Sequence, residues 1–266
     1  MNRILRILFF VLLVMLPIVF YKYFHKEERR HHRMVPFVGE TQAAKPKIAL
    51  IFDDLGERMK DLEDVYELQI PVAISVIPGL KFSKNVAHIG LRCGFSILIH
   101  LPLEPKKEEK FKTNKYKFIS SSFTRQENEA LLRNYLNYLH FAVGVNNHMG
   151  SAATENPQLM ELLMIALRSR NLVFIDSRTS LNSVACEVAK RSKIRCGYNE
   201  GFLDAVDEKA AIEKKLEKLI QKAREKGKII IIAHPKKNTF LVLKEKLPAI
   251  KAEVEFISIK KYFGLE

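Results

Sequence analysis

From Lys47 onward, short apolar runs alternate with longer stretches whose apolar residues recur at helical spacing, and this alternation constrains the fold more than any other feature. A strand that is apolar throughout must be covered on both faces, and a helical crossover after each strand does so by building a parallel sheet. Strands are expected at 48–52, 72–77, 95–99, 142–145, 172–175 and 229–233, with a weaker one at 201–203 and a last at 254–257. Helices are expected at 58–68, 83–92, 125–140, 157–170, 183–191 and 207–226. In the last helix Ile212, Leu216, Leu219, Ile220 and Ala223 form one core-facing stripe. Seven or eight strands in roughly 220 residues favour a closed or nearly closed β/α barrel over an open doubly wound sheet.

The first 46 residues differ in kind. Residues 7–21 carry no charge and one proline, behind Arg3 and Arg6 and ahead of Lys22, Lys26, Arg29, Arg30 and Arg33. Residues 1–24 read as a signal peptide or membrane anchor, the apolar stretch from Ile4 reaching about 18 residues, near the lower limit for a spanning helix. Positive charge on both flanks leaves open a helix lying on the inner membrane face. Residues 25–46, polar and charged with Pro36 and Pro46, read as a linker. That leaves 47–266 as the folded domain and puts it outside the cytoplasm, in the periplasm or envelope, secreted or held at the membrane by the N-terminal segment.

The formal charge is +14, of which the first 45 residues, with eight Lys/Arg against three Glu, contribute +5. On the remainder the cations are scattered among Glu and not gathered into a run with interleaved aromatics, so nucleic acid is not an expected partner. Cys93, Cys186 and Cys196 form no metal-binding spacing, which argues against a cysteine zinc site. The last two are either buried thiols or, in an oxidising compartment, a disulfide.

Reactive side chains cluster just after the expected strands. Asp53 and Asp54 follow the first, His100 the third, Asn147 and His148 the fourth, Asp176 and Arg178 the fifth, Asp204 the weak one, and His234 the strand at 229–233. In parallel β/α architectures the C-terminal strand ends are where loops converge, so groups a hundred residues apart can meet. A lone Asp there is commonly a helix cap and a lone His a satisfied core group; six or more together are harder to explain so. Two imidazoles and a carboxylate leave open positions on a divalent cation, and a second carboxylate can accept the proton of a water made acidic there. Neighbours in a strand point to opposite faces, but where the chain turns at a strand end both Asp53 and Asp54 can reach one site. Between residues 100 and 123 a long connection carries Lys106, Lys107, Lys110, Lys112, Lys115 and Lys117 beside Glu104, Glu108 and Glu109, and is either a binding loop or a solvated charged one.

These residues lie in the motifs IALIFDDLG at 48–56, VIPG at 76–79, ILIHLPLEP at 97–105, NNHMGSAAT at 146–154, FIDSRTS at 174–180, GFLD at 201–204 and IIAHP at 231–235. Together and in this order they resemble the divergent polysaccharide deacetylase family, from about Lys47 to Phe263. The resemblance implies a distorted β/α barrel of seven or eight mostly parallel strands that removes acetyl groups from N- or O-acetylated sugars with a divalent metal. It implies Asp54, His100 and His148 as metal ligands, Asp53 as general base and His234 as general acid. Asn147, Asp176, Arg178 and Asp204 would orient the site. Zinc is the first expectation, although two His and one Asp also suit manganese, cobalt or ferrous iron.

The chain departs from typical deacetylases in two ways. They carry two metal-binding histidines four residues apart, whereas His100 is followed at that interval by Glu104; the second imidazole must come from His148, or Glu104 must serve. There is no Trp, so their Asp-Trp motif is absent. The expected function is metal-dependent deacetylation of an acetylated envelope polysaccharide. The alternatives are a noncatalytic member that binds glycan or an envelope protein through the same cleft, and an unrelated metallohydrolase.

Overall fold

Among the described residues, 16–18, 21–23, 44–106 and 115–266, the computed structural model has a strand at each expected apolar run. They are β1 (Lys47–Leu55), β2 (Ala73–Val76), β3 (Ser96–Leu103), β4 (Gly144–Met149), β5 (Val173–Asp176), β6 (Cys196–Phe202), β7 (Lys228–Ala233) and β8 (Glu255–Phe256). The helices between them are α1 (Met59–Tyr66), α2 (Ser83–Arg92), α3 (Arg125–Tyr138), α4 (Pro157–Arg168), α5 (Ala185–Arg191), α6 (Lys209–Lys226), α7 (Lys237–Glu253) and α8 (Ile259–Phe263). The chain divides into two units, Met1–Ala44 and Lys45–Glu266. Of the expected anchor at 1–24 only 16–18 and 21–23 are described, and of the linker at 25–46 only 44–46; among the described residues no helix is long and apolar enough to cross a membrane.

Every strand pairing is parallel, and β1 pairs with both β2 and β7, so seven strands close into a barrel. The distortion lies at the β1–β2 seam. Short β2 meets β1 only from Ile51 upward, while β8 pairs with Lys47 and Ile48 at the lower end of β1. Alternate residues of each strand face opposite ways. One set, including Ala49, Ile51, Ala73, Leu98, Val173, Ile175, Ile230 and Ile232, fills the lumen, and α8 with Ile259, Tyr262 and Phe263 packs against its lower end. The other set, including Leu50, Phe52, Ile74, Ile99, Val145 and Ile231, packs under the helices, as where Phe52 stacks on Phe240 of α7 at 5.4 Å.

Three elements, β6, α7 and the short α8, depart from the sequence expectation. The sixth strand begins five residues earlier than expected, because its lumen-facing position is a glycine; a Cβ on Gly197 would come within 2.6 Å of Ile230, whose bulk fills that space instead. A run of small and polar residues conceals such a strand from apolar counting. Helix α7 was not expected at all. Pro248 interrupts it at a cost of about 3 kcal/mol, yet Phe240, Leu243, Leu247 and Ile250 form a buried stripe, and burial at about 1.5–3 kcal/mol per large side chain outweighs one proline.

Cys186 and Cys196 are joined by a disulfide, with Cα atoms 5.4 Å apart, tying the start of α5 to the start of β6. A loop of this size is expected to contribute about 3 kcal/mol. The Cys186→Ser variant should therefore lose about that much in denaturant unfolding, and reductant should destabilise the parent but not the variant. Equal sensitivity to reductant would contradict the bond's contribution.

Candidate metal centre

Above the apolar lumen, the next inward-facing position of each strand is polar. Asp53, Ser75, His100, Asn146, Ser177 and Asn199 are all buried and form one layer, with His148 and His234 at its upper rim. A polar layer without contact to water is tolerated only where its groups satisfy one another.

Asp53 and Asp54 both reach this layer because β1 is bulged there. Phe52 pairs with Ile74 but Leu55 with Val76, so one extra residue sits in β1, and Asp54 takes φ +62°. Met149 and Arg178, at the upper ends of β4 and β5, also take left-handed conformations, at +54° and +55°. Non-glycine residues pay for such conformations, and the strain gathers where side chains must be re-aimed.

His100 Nε2 lies 3.1 Å from Asp54 Oδ1 and 3.6 Å from Asp53 Oδ2. His148 Nδ1 lies 3.0 Å from the same Asp54 oxygen, and its Nε2 is 2.8 Å from the Tyr116 hydroxyl. One ligand atom from each of Asp54, His100 and His148 lies within 4.8 Å of the others. Asp54 Oδ1 is buried yet makes no hydrogen bond. An orphaned carboxylate oxygen facing two imidazole nitrogens suits a cation, which would take all three lone pairs at once. The donor set of two imidazoles and a carboxylate fits zinc and its neighbours alike.

The electrostatics agree. Burial pulls the His148 imidazole toward its neutral, ligating form despite Asp54. Burial opposes charge on His100 as well, but Asp53 and Asp54 outweigh it and raise its affinity for a proton, in the place a cation would take. Asp54 is held strongly ionised, because the two imidazoles overcome the penalty of burial. Burial raises Asp53, against the pull of His100 and His234. The Tyr116 hydroxyl is pushed up to about 12 by burial and by Asp54, so it stays protonated.

On the opposite side, His234 Nε2 faces Asp54 Oδ2 at 3.9 Å, and its ring lies against Phe202. Asp204, fully buried, receives the Nδ1 hydrogen bond at 2.8 Å and the His234 backbone N–H at 2.7 Å, while Thr239 donates to it at 2.7 Å. Burial would lower His234, but the hydrogen bond to Asp204 and the charge of Asp53 raise it, which favours a proton on the ring.

The remaining expected residues have other partners. Asn147 receives the backbone N–H of Ser177 and donates to the carbonyl of Met149, tying the upper ends of β4 and β5 together. Asp176 accepts from Arg178 N and from Ser183 Oγ, and the Arg178 guanidinium sits over the Tyr198 ring at 5.6 Å. Glu104 accepts from Ser121 N and Oγ at 2.7 and 2.8 Å and takes no part in the ligand cluster; the second imidazole there is that of His148. In the lysine-bearing connection Lys106 and Lys115 pair with Glu155 and Glu57, and Lys107, Lys110, Lys112, Glu108 and Glu109 lie outside the described residues. Sequence reasoning passed over Tyr116, which contacts His148, and Asn146, which contacts both His100 and Asp53; only Asn146 carries a sequence signal. Stepping back two residues from His148 would have found it, since both face the lumen.

Residues 50–263 match the family model described as divergent polysaccharide deacetylase. The chain is 32% identical over 216 residues to an uncharacterized protein of Haemophilus influenzae, covering 81% of this chain and 76% of that one. By structure it is similar to an uncharacterized protein from Agrobacterium tumefaciens, with TM-score 0.76, 20% identity, and 84% and 91% of the two chains covered. It is also similar to the catalytic domain of a peptidoglycan N-acetylglucosamine deacetylase from Eubacterium rectale, with TM-score 0.53, 12% identity, and 82% and 90% covered. At these identities both likenesses show the fold alone.

Proposed function

The chain belongs to the divergent polysaccharide deacetylase family, and from that premise we propose that it is a metal-dependent deacetylase of an acetylated polysaccharide of the cell envelope. The observation that carries the reading is the convergence of Asp54, His100 and His148 on one point, with a carboxylate and a histidine beside them that are not needed as ligands. Zinc is the first candidate for that point, and a divalent ion bound there supplies Lewis acidity and lowers the pKa of water.

The protein's own groups do the rest. Asp53, raised by burial and aimed by the Asn146 amide, takes the proton of the attacking water. His234, held by Asp204 with its Nε2 toward the site, gives a proton to the departing sugar amine or hydroxyl. The Cys186–Cys196 bond and the apolar stretch at 7–21 support a place outside the cytoplasm, with residues 1–24 as signal or membrane anchor.

The test is acetate release from N-acetylated oligosaccharides and peptidoglycan fragments by the full chain. Release should stop on chelation and return with zinc. Asp53→Asn should retain the metal while turnover falls by about 10²–10⁴. Bound metal with no acetate from any of these glycans would point instead to a noncatalytic glycan-binding member.

A further inference from the structure

We infer that Asn146 is a positioning residue that couples the metal site to the base, one face of its amide fixing His100 and the other holding Asp53. It stands opposite His100 in the β3–β4 register and is fully buried. Its Oδ1 lies 3.0 Å from His100 Nδ1 and also accepts from Ser75 Oγ, while its Nδ2 lies 2.8 Å from Asp53 Oδ1 and 3.4 Å from Ser177 Oγ.

The neighbours determine which way the amide points. Ser177 Oγ donates its hydrogen to the Asn147 carbonyl at 2.9 Å, so toward Asn146 it can only accept, and the atom facing it must be the amide NH2. The carboxylate of Asp53 beside it requires the same. The carbonyl oxygen is thereby turned to His100, whose Nδ1 must carry a proton; that leaves Nε2, beside Asp54 Oδ1, as the nitrogen that would ligate a metal. Both hydrogens and both lone pairs of the amide are in use, so no other side chain of this size meets all four demands.

This inference rests on the deacetylase reading only for the Asp53 half. Asn146→Asp keeps an acceptor for His100 and Ser75 but turns a second acceptor toward Asp53; Asn146→Leu keeps the volume and removes both functions. Metal affinity is read by competition with a chelator using zinc, with a thermal transition confirming that each variant folds. Asn146→Leu should bind zinc about 10- to 100-fold more weakly, whereas Asn146→Asp should stay within about threefold of the parent. Turnover should fall by about 10²–10⁴ in Asn146→Asp with KM little changed.

A second arm does not depend on Asn146→Leu folding. Imidazole nitrogen-15 resonances of the zinc-loaded parent and of Asn146→Asp should show His100 protonated at Nδ1 and ligating through Nε2. Equal loss of zinc in both variants, full turnover in Asn146→Asp, or ligation through Nδ1 would overturn the inference. If the zinc split holds but the parent releases no acetate, the hold on His100 stands and the deacetylase reading fails.

Discussion

His148→Ala is expected to abolish stoichiometric metal binding. The parent chain should retain about one divalent ion after dialysis, and the variant essentially none, with affinity lowered by more than the 10- to 100-fold typical of losing an outer partner. The reason is geometric. His148 Nδ1 and His100 Nε2 approach the same orphaned oxygen of Asp54 from two strands, and the nearest other groups, Asp53 and His234, are held by Asn146 and Asp204. Glu104 is not a substitute, since its carboxylate is engaged by Ser121. His148 lies at the rim of the barrel, so the truncation opens toward solvent and should leave the fold intact. Elemental analysis of parent and variant reads the result directly. Equal metal content in both would sink the assignment of all three ligands, and equal absence after reconstitution would remove the metal from any account of this site.

The second large effect is expected at His234. His234→Ala should lower kcat by about 10²–10⁴ while leaving metal affinity near that of the parent, because in the proposed reaction the ring is the proton donor and it lies outside the ligand cluster. Asp204→Asn should act more mildly and in a way that identifies the mechanism. Asp204 raises the His234 pKa through its hydrogen bond and charge. A general acid is competent below its pKa and loses its proton as pH rises through it. Removing the anion lowers that pKa, so the alkaline limb of the kcat profile should move to lower pH relative to the parent. A limb that stays in place, or one that moves upward, would mean that the acid is another group.

The barrel was legible because its cause is local. Strands such as Leu50 to Phe52 and Ile229 to Ile232 are apolar at every position, and only a sheet covered by helices outside and side chains inside can bury both faces. Two of the elements that escaped have residues that argue against them: β6, with glycine facing the lumen, and α7, with Pro248 inside it. In both, long-range burial overrides local preference.

The candidate site divides the same way. That Asp53, Asp54, His100, His148 and His234 sit at strand ends follows from sequence, because the βα alternation dictates which end of a strand faces the loops. Which of them touch is decided in three dimensions. Asp54 joins Asp53 in the site through a one-residue bulge and a left-handed backbone, features with no mark in an Asp-Asp pair. Asp176 and Arg178 occupy an equivalent strand end but turn to Ser183 and Tyr198 instead. Asn146 rather than Asn147 faces His100, because register and the two-residue period of β4 select one face of the strand. The sequence by itself determined the layers and the edge where chemistry can gather, since apolar burial is additive and periodic. Only the tertiary structure decided the partners, since hydrogen bonds and ligation depend on ångström-scale placement between strands remote in the chain.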